Sequence, residues 1–206
     1  MGKIVIGIDE SYSRTGITIM EAGKIKKTIS IDYMGCNNNT QKRQLLRTKL
    51  CKIISHYTNR LDDITVITER IRLRSQGFLS EAYMKSTGAL VATIIDTFNP
   101  FDILVYSVDT RSWKSQIVGT SKPKENKYGI DPHKWPTILY LKQKGLLKYI
   151  AYSYKGKSTK GVIKVNMGLT EGIVNCRIND DVADSICIAM YGFLPKSKQK
   201  LKEEKF

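Results

Sequence analysis

Two runs of β-branched residues, Lys3 to Asp9 and Ile64 to Glu69, each end in a carboxylate. Neither run alternates apolar with polar residues, so each reads as a strand buried on both faces rather than a surface ribbon. Carboxylates at the ends of two such strands share a site only if the strands lie side by side. A second pair of acids, Asp181 and Asp184, opens an apolar stretch, and a helix places residues three apart on one face. Carboxylates gathered from distant segments repel one another unless protons or divalent cations neutralise them, and hard oxygen ligands suit Mg²⁺ or Mn²⁺.

The order of the remaining elements points to an α/β domain. Thr15 to Met20 reads as a second strand and Lys24 to Met34 as a third, with a turn at Gly23 and alternating Ile25, Ile29 and Ile31. These three strands form an antiparallel meander. A helix follows, with Leu46, Leu50, Ile53, Tyr57 and Leu61 at spacings of three and four, then the strand ending in Glu69 and a basic loop from Arg70 to Gln76. Leu79, Tyr83, Thr87, Leu90, Ile94 and Phe98 mark a second helix, and Asp102 to Ser107 a fifth strand. The expectation is a mixed five-stranded sheet, three strands antiparallel and then two parallel, flanked by helices. Thr110 to Val118 and Pro136 to Lys144 read as further helices. A basic hairpin around Lys155-Gly156-Lys157-Ser158 lies within an elaboration spanning about 145–178, and Asn179 or Asp180 caps a last helix. Residues 1–194 are expected to form one domain, with 195–206 a frayed basic tail.

Composition narrows the substrate. Lys and Arg total 34 against 19 acids, a net charge of +15, so the field of the protein attracts phosphate backbones whatever their sequence. Twenty-five of the 34 are Lys, which favours diffuse backbone contact over forked reading of bases. No apolar run spans a bilayer and no leader is visible. The four cysteines show neither zinc spacing nor close pairing, and they read as reduced thiols of a cytosolic protein.

Gly7-Ile8-Asp9-Glu10-Ser11 followed by Thr15-Gly16 resembles the first motif of RuvC-type Holliday junction resolvases, Gly-Ile-Asp-Pro-Gly with Thr-Gly at the same spacing. Ile67-Thr68-Glu69 resembles their second motif, and Asp181-Val182-Ala183-Asp184 resembles their last. The likeness covers roughly residues 3 to 122 and 179 to 193. It implies an RNase H-like fold, a homodimer and two-metal hydrolysis of branched DNA, with Asp9, Glu69, Asp181 and Asp184 as metal ligands. Asp180 lies on the same helical face as Asp184, and the residues alone leave open which of Asp180 and Asp181 would bind. The resemblance also points to Lys114 as a group that stabilises transition-state charge, with Lys122 behind it. Arg70, Arg72, Arg74 and Arg111 join these two lysines as expected DNA contacts.

Three departures from the family pattern stand out. Pro-Gly of the first motif is Glu10-Ser11, and Arg72 stands where the family often carries an aromatic, with Phe78 further along. The elaboration carries Lys155, Lys157, Lys160 and Lys164 interleaved with Tyr152 and Tyr154, a pattern suited to backbone contact and base stacking. As in phage-encoded members of the group, it suggests forks and flaps beside four-way junctions. The rival functions are a ribonuclease acting on RNA–DNA hybrids and an actin-like nucleotide-binding protein, which needs two related domains.

Overall fold

The computed structural model describes residues 2–70, 81–166 and 173–204. The main sheet is built on β1 (Ile4–Glu10), every residue of which is buried. On one side β1 pairs antiparallel with β2 (Arg14–Glu21), which pairs antiparallel with β3 (Lys24–Asp32). On the other it runs parallel to β4 (Ile64–Glu69), which runs parallel to β5 (Val105–Val108). The meander and the side-by-side placement of the two acid-ended strands are therefore as the sequence reads.

Alternation along β1 divides the core. Ile4, Ile6 and Ile8 join Ile17, Ile19, Val66 and Val105 on one face, covered by α1 (Asn39–Ile54) and α2 (Glu81–Phe98). Each such buried isoleucine contributes about 1.5–3 kcal/mol. Val5 and Ile67 point to the other face and meet α5 (Asp180–Tyr191) with Trp113, Trp135 and Leu141. A bulge on β3 opposite Ile19 and Met20 changes which face its side chains take. Ile25 joins the α5 layer, whereas Ile29 and Ile31 join the α1–α2 layer.

Four expectations need correction. The sheet has six strands, because residues of the supposedly frayed tail form β9 (Leu201–Glu203), antiparallel to β5. The tail is held by backbone pairing to an otherwise open edge, which its charged composition conceals. Gln199 adds to this by donating from Nε2 to the carbonyls of Gly192 at 3.0 Å and Leu194 at 2.7 Å, just past the end of α5. β5 begins at Val105 rather than Asp102, whose φ of +55° places it in a turn. The first helix stops at Ile54, and Thr58–Asp63 is 3₁₀, although Tyr57 and Leu61 still pack on the core.

The elaboration is not a hairpin across 155–158. β6 (Ala151–Ser153) and β7 (Val162–Asn166) each pair antiparallel with β8 (Ile173–Ile178), which lies between them and leads directly into α5. The remaining helices are α3 (Thr110–Trp113), extended by a π turn over Lys114–Val118, and α4 (Trp135–Gln143). Among the described residues no helix is long and apolar enough to cross a membrane. Arg72, Arg74 and Phe78 lie outside the described residues.

Candidate active site

The site is assembled by a helix pressed onto two strands. Gly7 and Gly16 sit under α5, and a side chain at either would collide with its backbone. A Cβ on Gly7 would lie 2.4 Å from the Ser185 carbonyl oxygen, and one on Gly16 would lie 2.2 Å from the Asp181 carbonyl oxygen. Thr18 and Ser185 share a hydroxyl hydrogen bond of 2.7 Å across the same contact. Asp9 pairs directly with Gly16 across the β1–β2 ladder, so its side chain shares the face that α5 covers.

The start of α5 supplies the second pair of acids. Asn179 caps the helix, its side-chain oxygen accepting the Val182 N–H at 3.1 Å, so neither Asp180 nor Asp181 has that duty. Asp181 and Asp184 are 5 % and 3 % exposed, close to the 7 % of Asp9. Asp180 is a third exposed and turns to Arg14, whose Nη2 lies 3.1 Å from its Oδ1. The Nε of the same arginine lies 2.9 Å from Asp181 Oδ2.

Glu69 arrives from β4, beside β1. Trp113 Nε1 donates to its Oε2 at 3.0 Å, and the Thr110 hydroxyl donates to its Oε1. Both donors come from α3, so the turn after β5 fixes this carboxylate.

A cation missed by the sequence reading completes the cluster. Lys134, just before α4, places Nζ 2.7 Å from Asp184 Oδ2. Burial alone would lower its pKa, but Asp184 and Asp9 outweigh burial and hold it above the ordinary lysine range. Its only sequence signal was position, one lysine among several in a loop, with no motif to mark it. Lys114, expected at the reaction centre, is buried instead. Its Nζ donates to the His133 carbonyl oxygen at 3.0 Å, which supports the loop that presents Lys134. Arg111 and Lys122 are exposed, and half-buried Arg70 donates from Nε to the Ser107 hydroxyl at 3.3 Å.

The electrostatics mark the acids as one group. Burial raises the Asp9 carboxyl well above its usual range, and Asp184, Glu69 and Asp181 add to this against the pull of Lys134. Burial also raises Glu69, with Asp184 contributing. Asp181 is raised by burial and by Asp180, against Arg14 and Lys134.

Two buried oxygens, Asp181 Oδ2 and Asp184 Oδ1, receive no hydrogen bond among the described residues. The close Arg14 Nε therefore pairs with Asp181 by charge, without a directed hydrogen. Among the described residues no three His, Cys, Asp or Glu side chains are close enough to share one ion, and Lys134 and Arg14 pair with the α5 acids. The donor set nonetheless fits a hard divalent cation: it is all carboxylate, it is buried, and two of its oxygens lack donors.

No family model and no curated protein matches the chain. Solved structures do. RuvC of T. thermophilus in complex with Holliday junction substrate superposes with a TM-score of 0.55 at 10 % identity, over 91 % of this chain and 90 % of that one. A second Thermus thermophilus RuvC structure gives 0.55 at 13 % identity, over 91 % of each chain. The fold is RNase H-like. In this RNase H-like sheet the acids gather where β1 and β4 end and α5 begins, and the small sheet is inserted immediately before α5.

Proposed function

We propose that the protein is a metal-dependent, structure-selective DNA endonuclease that resolves four-way junctions and other branched DNA. The observation that carries this reading is the convergence of four carboxylates, Asp9, Asp181 and Asp184 buried and Glu69 half-buried, around Lys134 in a chain of net charge +15. Arg14 and Lys134 supply two positive charges against the four acids, and divalent cations would balance the remainder. The structural likeness to a RuvC solved with a Holliday junction supports branched DNA as the substrate class.

Asp9, Glu69, Asp181 and Asp184 would hold two Mg²⁺ or Mn²⁺ ions. When bound, such ions supply an activated water and stabilise the leaving oxygen of the phosphodiester. The protein's own residues supply orientation and charge. Trp113 and Thr110 hold Glu69 by both oxygens, Arg14 steadies the first turn of α5, and Lys134 keeps a proton at Nζ beside Asp184, where it would face a phosphate bound at the acids. A homodimer would present two such sites to two strands of like polarity and so give paired nicks.

The test is incubation of the purified protein with labelled four-way junction, linear duplex and RNA–DNA hybrid, each with Mg²⁺, Mn²⁺ or chelator. The expected result is nicking of the junction with either metal and none with chelator. Asp9→Asn should cut no substrate while still binding the junction. Cleavage of the hybrid with the junction left whole would overturn the reading.

A further inference from the structure

The small sheet has no part in the metal site, yet it forms a distinct surface. From Pro132 to Thr170 the chain carries eight lysines and no acid. β7 and β8, the loop around Gly156 and the segment at Lys127 and Tyr128 enclose a cleft of about 340 Å³, a volume at the small end of ligand sites. Lys127 and Lys164 stand at it, both exposed, with Tyr128, Tyr154, Ser158 and Asn175 among its other walls.

The aromatic walls are fixed. The guanidinium of Arg177 lies 4.5 Å from the centre of the Tyr154 ring, and its Nε is buried without a hydrogen-bond acceptor among the described residues. Gly156 folds so closely over Tyr154 that a Cβ there would lie 2.3 Å from the tyrosine hydroxyl. Tyr128 packs on Trp135 with ring centroids 5.3 Å apart, and its carbonyl accepts the Gly161 N–H at 2.7 Å. Tyr152, on β6, is 48 % exposed. Tyr128 and Lys134 are six residues apart, so the cleft wall and the acid cluster are separated by at most about 22 Å of chain.

We infer that this cleft is a subsite for an unpaired DNA strand, with a base against the Tyr128–Tyr154 walls and the flanking phosphates on Lys127 and Lys164. Anchored aromatics beside exposed lysines, in a cleft whose described lining holds no acid, are the combination that holds single strands without reading their sequence. Paired bases, stacked inside a duplex, have no face to offer these tyrosines. Resting on the endonuclease reading, the inference names the substrates the enzyme takes: branched DNA with a single-stranded arm.

The experiment measures anisotropy of a short fluorescein-labelled oligothymidylate and of a duplex of equal length, in chelator, with the full chain. Lys127→Glu with Lys164→Glu should weaken single-strand binding ten-fold or more and reduce the slope of log K against log salt by about 1.4, two phosphate contacts at about 0.7 each. Tyr154→Ala should weaken it on the order of five-fold or more without changing that slope, and Tyr154→Phe should retain it. Unchanged single-strand affinity in the lysine pair overturns the proposal even if Tyr154→Ala fails to fold. Equal losses on single strand and duplex overturn the unpaired-strand assignment. Junction cleavage by the unaltered protein with Mg²⁺ is scored separately. Cleavage with no effect of the substitutions removes the subsite alone, whereas no cleavage with the expected losses removes the nuclease reading alone.

Discussion

Lys134 shows how far single residues of the site could be read. The four acids were legible because each closes a recognisable pattern: two end unalternating strands and two open an apolar helix. A lysine in an irregular loop has no such frame, and its role appears only when the chain brings it to Asp184. Its ammonium offsets the charge that bound cations would also offset, so Lys134→Met should raise Mg²⁺ affinity on the order of ten-fold. The same change should slow junction cleavage on the order of a hundred-fold through loss of a preorganised charge. Calorimetry and single-turnover cleavage measure the two, and a variant that cuts at the unaltered rate would reduce Lys134 to a neutralising role. Glu10, where the family motif has Pro, makes a separate prediction. Burial on the opposite face of the sheet raises its pKa to about 8, despite a hydrogen bond from the Thr68 hydroxyl. A carboxyl raised in this way binds more protons folded than unfolded, so stability should fall as pH rises from about 4.5 to about 8. Glu10→Gln keeps the acceptor for Thr68 and should remove Glu10's share of that slope, raising stability at pH 8 by up to about 4 kcal/mol in urea titrations.

Among the elements, the contact of α5 with β1 and β2 positions half the acids, and it depends on two glycines whose importance no periodicity reveals. The Thr15-Gly16 motif marks the right segment, but the reason for Gly16 is a carbonyl of a helix 165 residues later in the chain. Gly16→Ala should cost about 1–3 kcal/mol as α5 is pushed outward, and junction cleavage should fall with it, because Asp181 and Asp184 move with the helix. Gly88, exposed in α2 with open space for at least 4 Å around the position a Cβ would take, is the contrasting site. Gly88→Ala should stabilise by up to about 1 kcal/mol through helix propensity alone. Thermal melts of the two variants should move in opposite directions. The small sheet was only half legible for the same reason as Gly16. Strand character was visible in Tyr149 to Met167, but sequence order favours pairing neighbours: β7 and β8 obey it, whereas β6 skips β7 to pair with β8.

At the scale of the whole molecule, the end of the chain closes the sheet. Composition describes 195–206 as a charged tail, and charge argues for solvation. Backbone hydrogen bonding is indifferent to composition, however, and β5 offers an edge that would otherwise lie open. β9 takes that edge, the Glu204 N–H donates to the Val105 carbonyl oxygen at 2.9 Å, and the Ser107 hydroxyl donates to the Glu204 carboxylate. Tyr191, at the end of α5, receives the Lys200 N–H on its hydroxyl at 2.6 Å, so the tail ties the last turn of α5 to the far edge of the sheet. Arg70 shares the Ser107 hydroxyl with Glu204, which brings the tail next to the strand end that carries Glu69. Deleting 195–206 should therefore act on the fold and not only on solubility. It removes one edge strand and the groups that satisfy the carbonyls after α5, a loss of roughly 2–3 kcal/mol at about 0.5 kcal/mol for each of five partly exposed hydrogen bonds of this segment. For a chain of this size that lowers the melting temperature by about 4–12 °C. Gln199→Ala alone should produce a fraction of that fall, because β9 can still pair. A truncated protein that melts with the full chain would show that the edge strand contributes nothing, and the closure of the sheet would then have to be sought in the α5 contact alone.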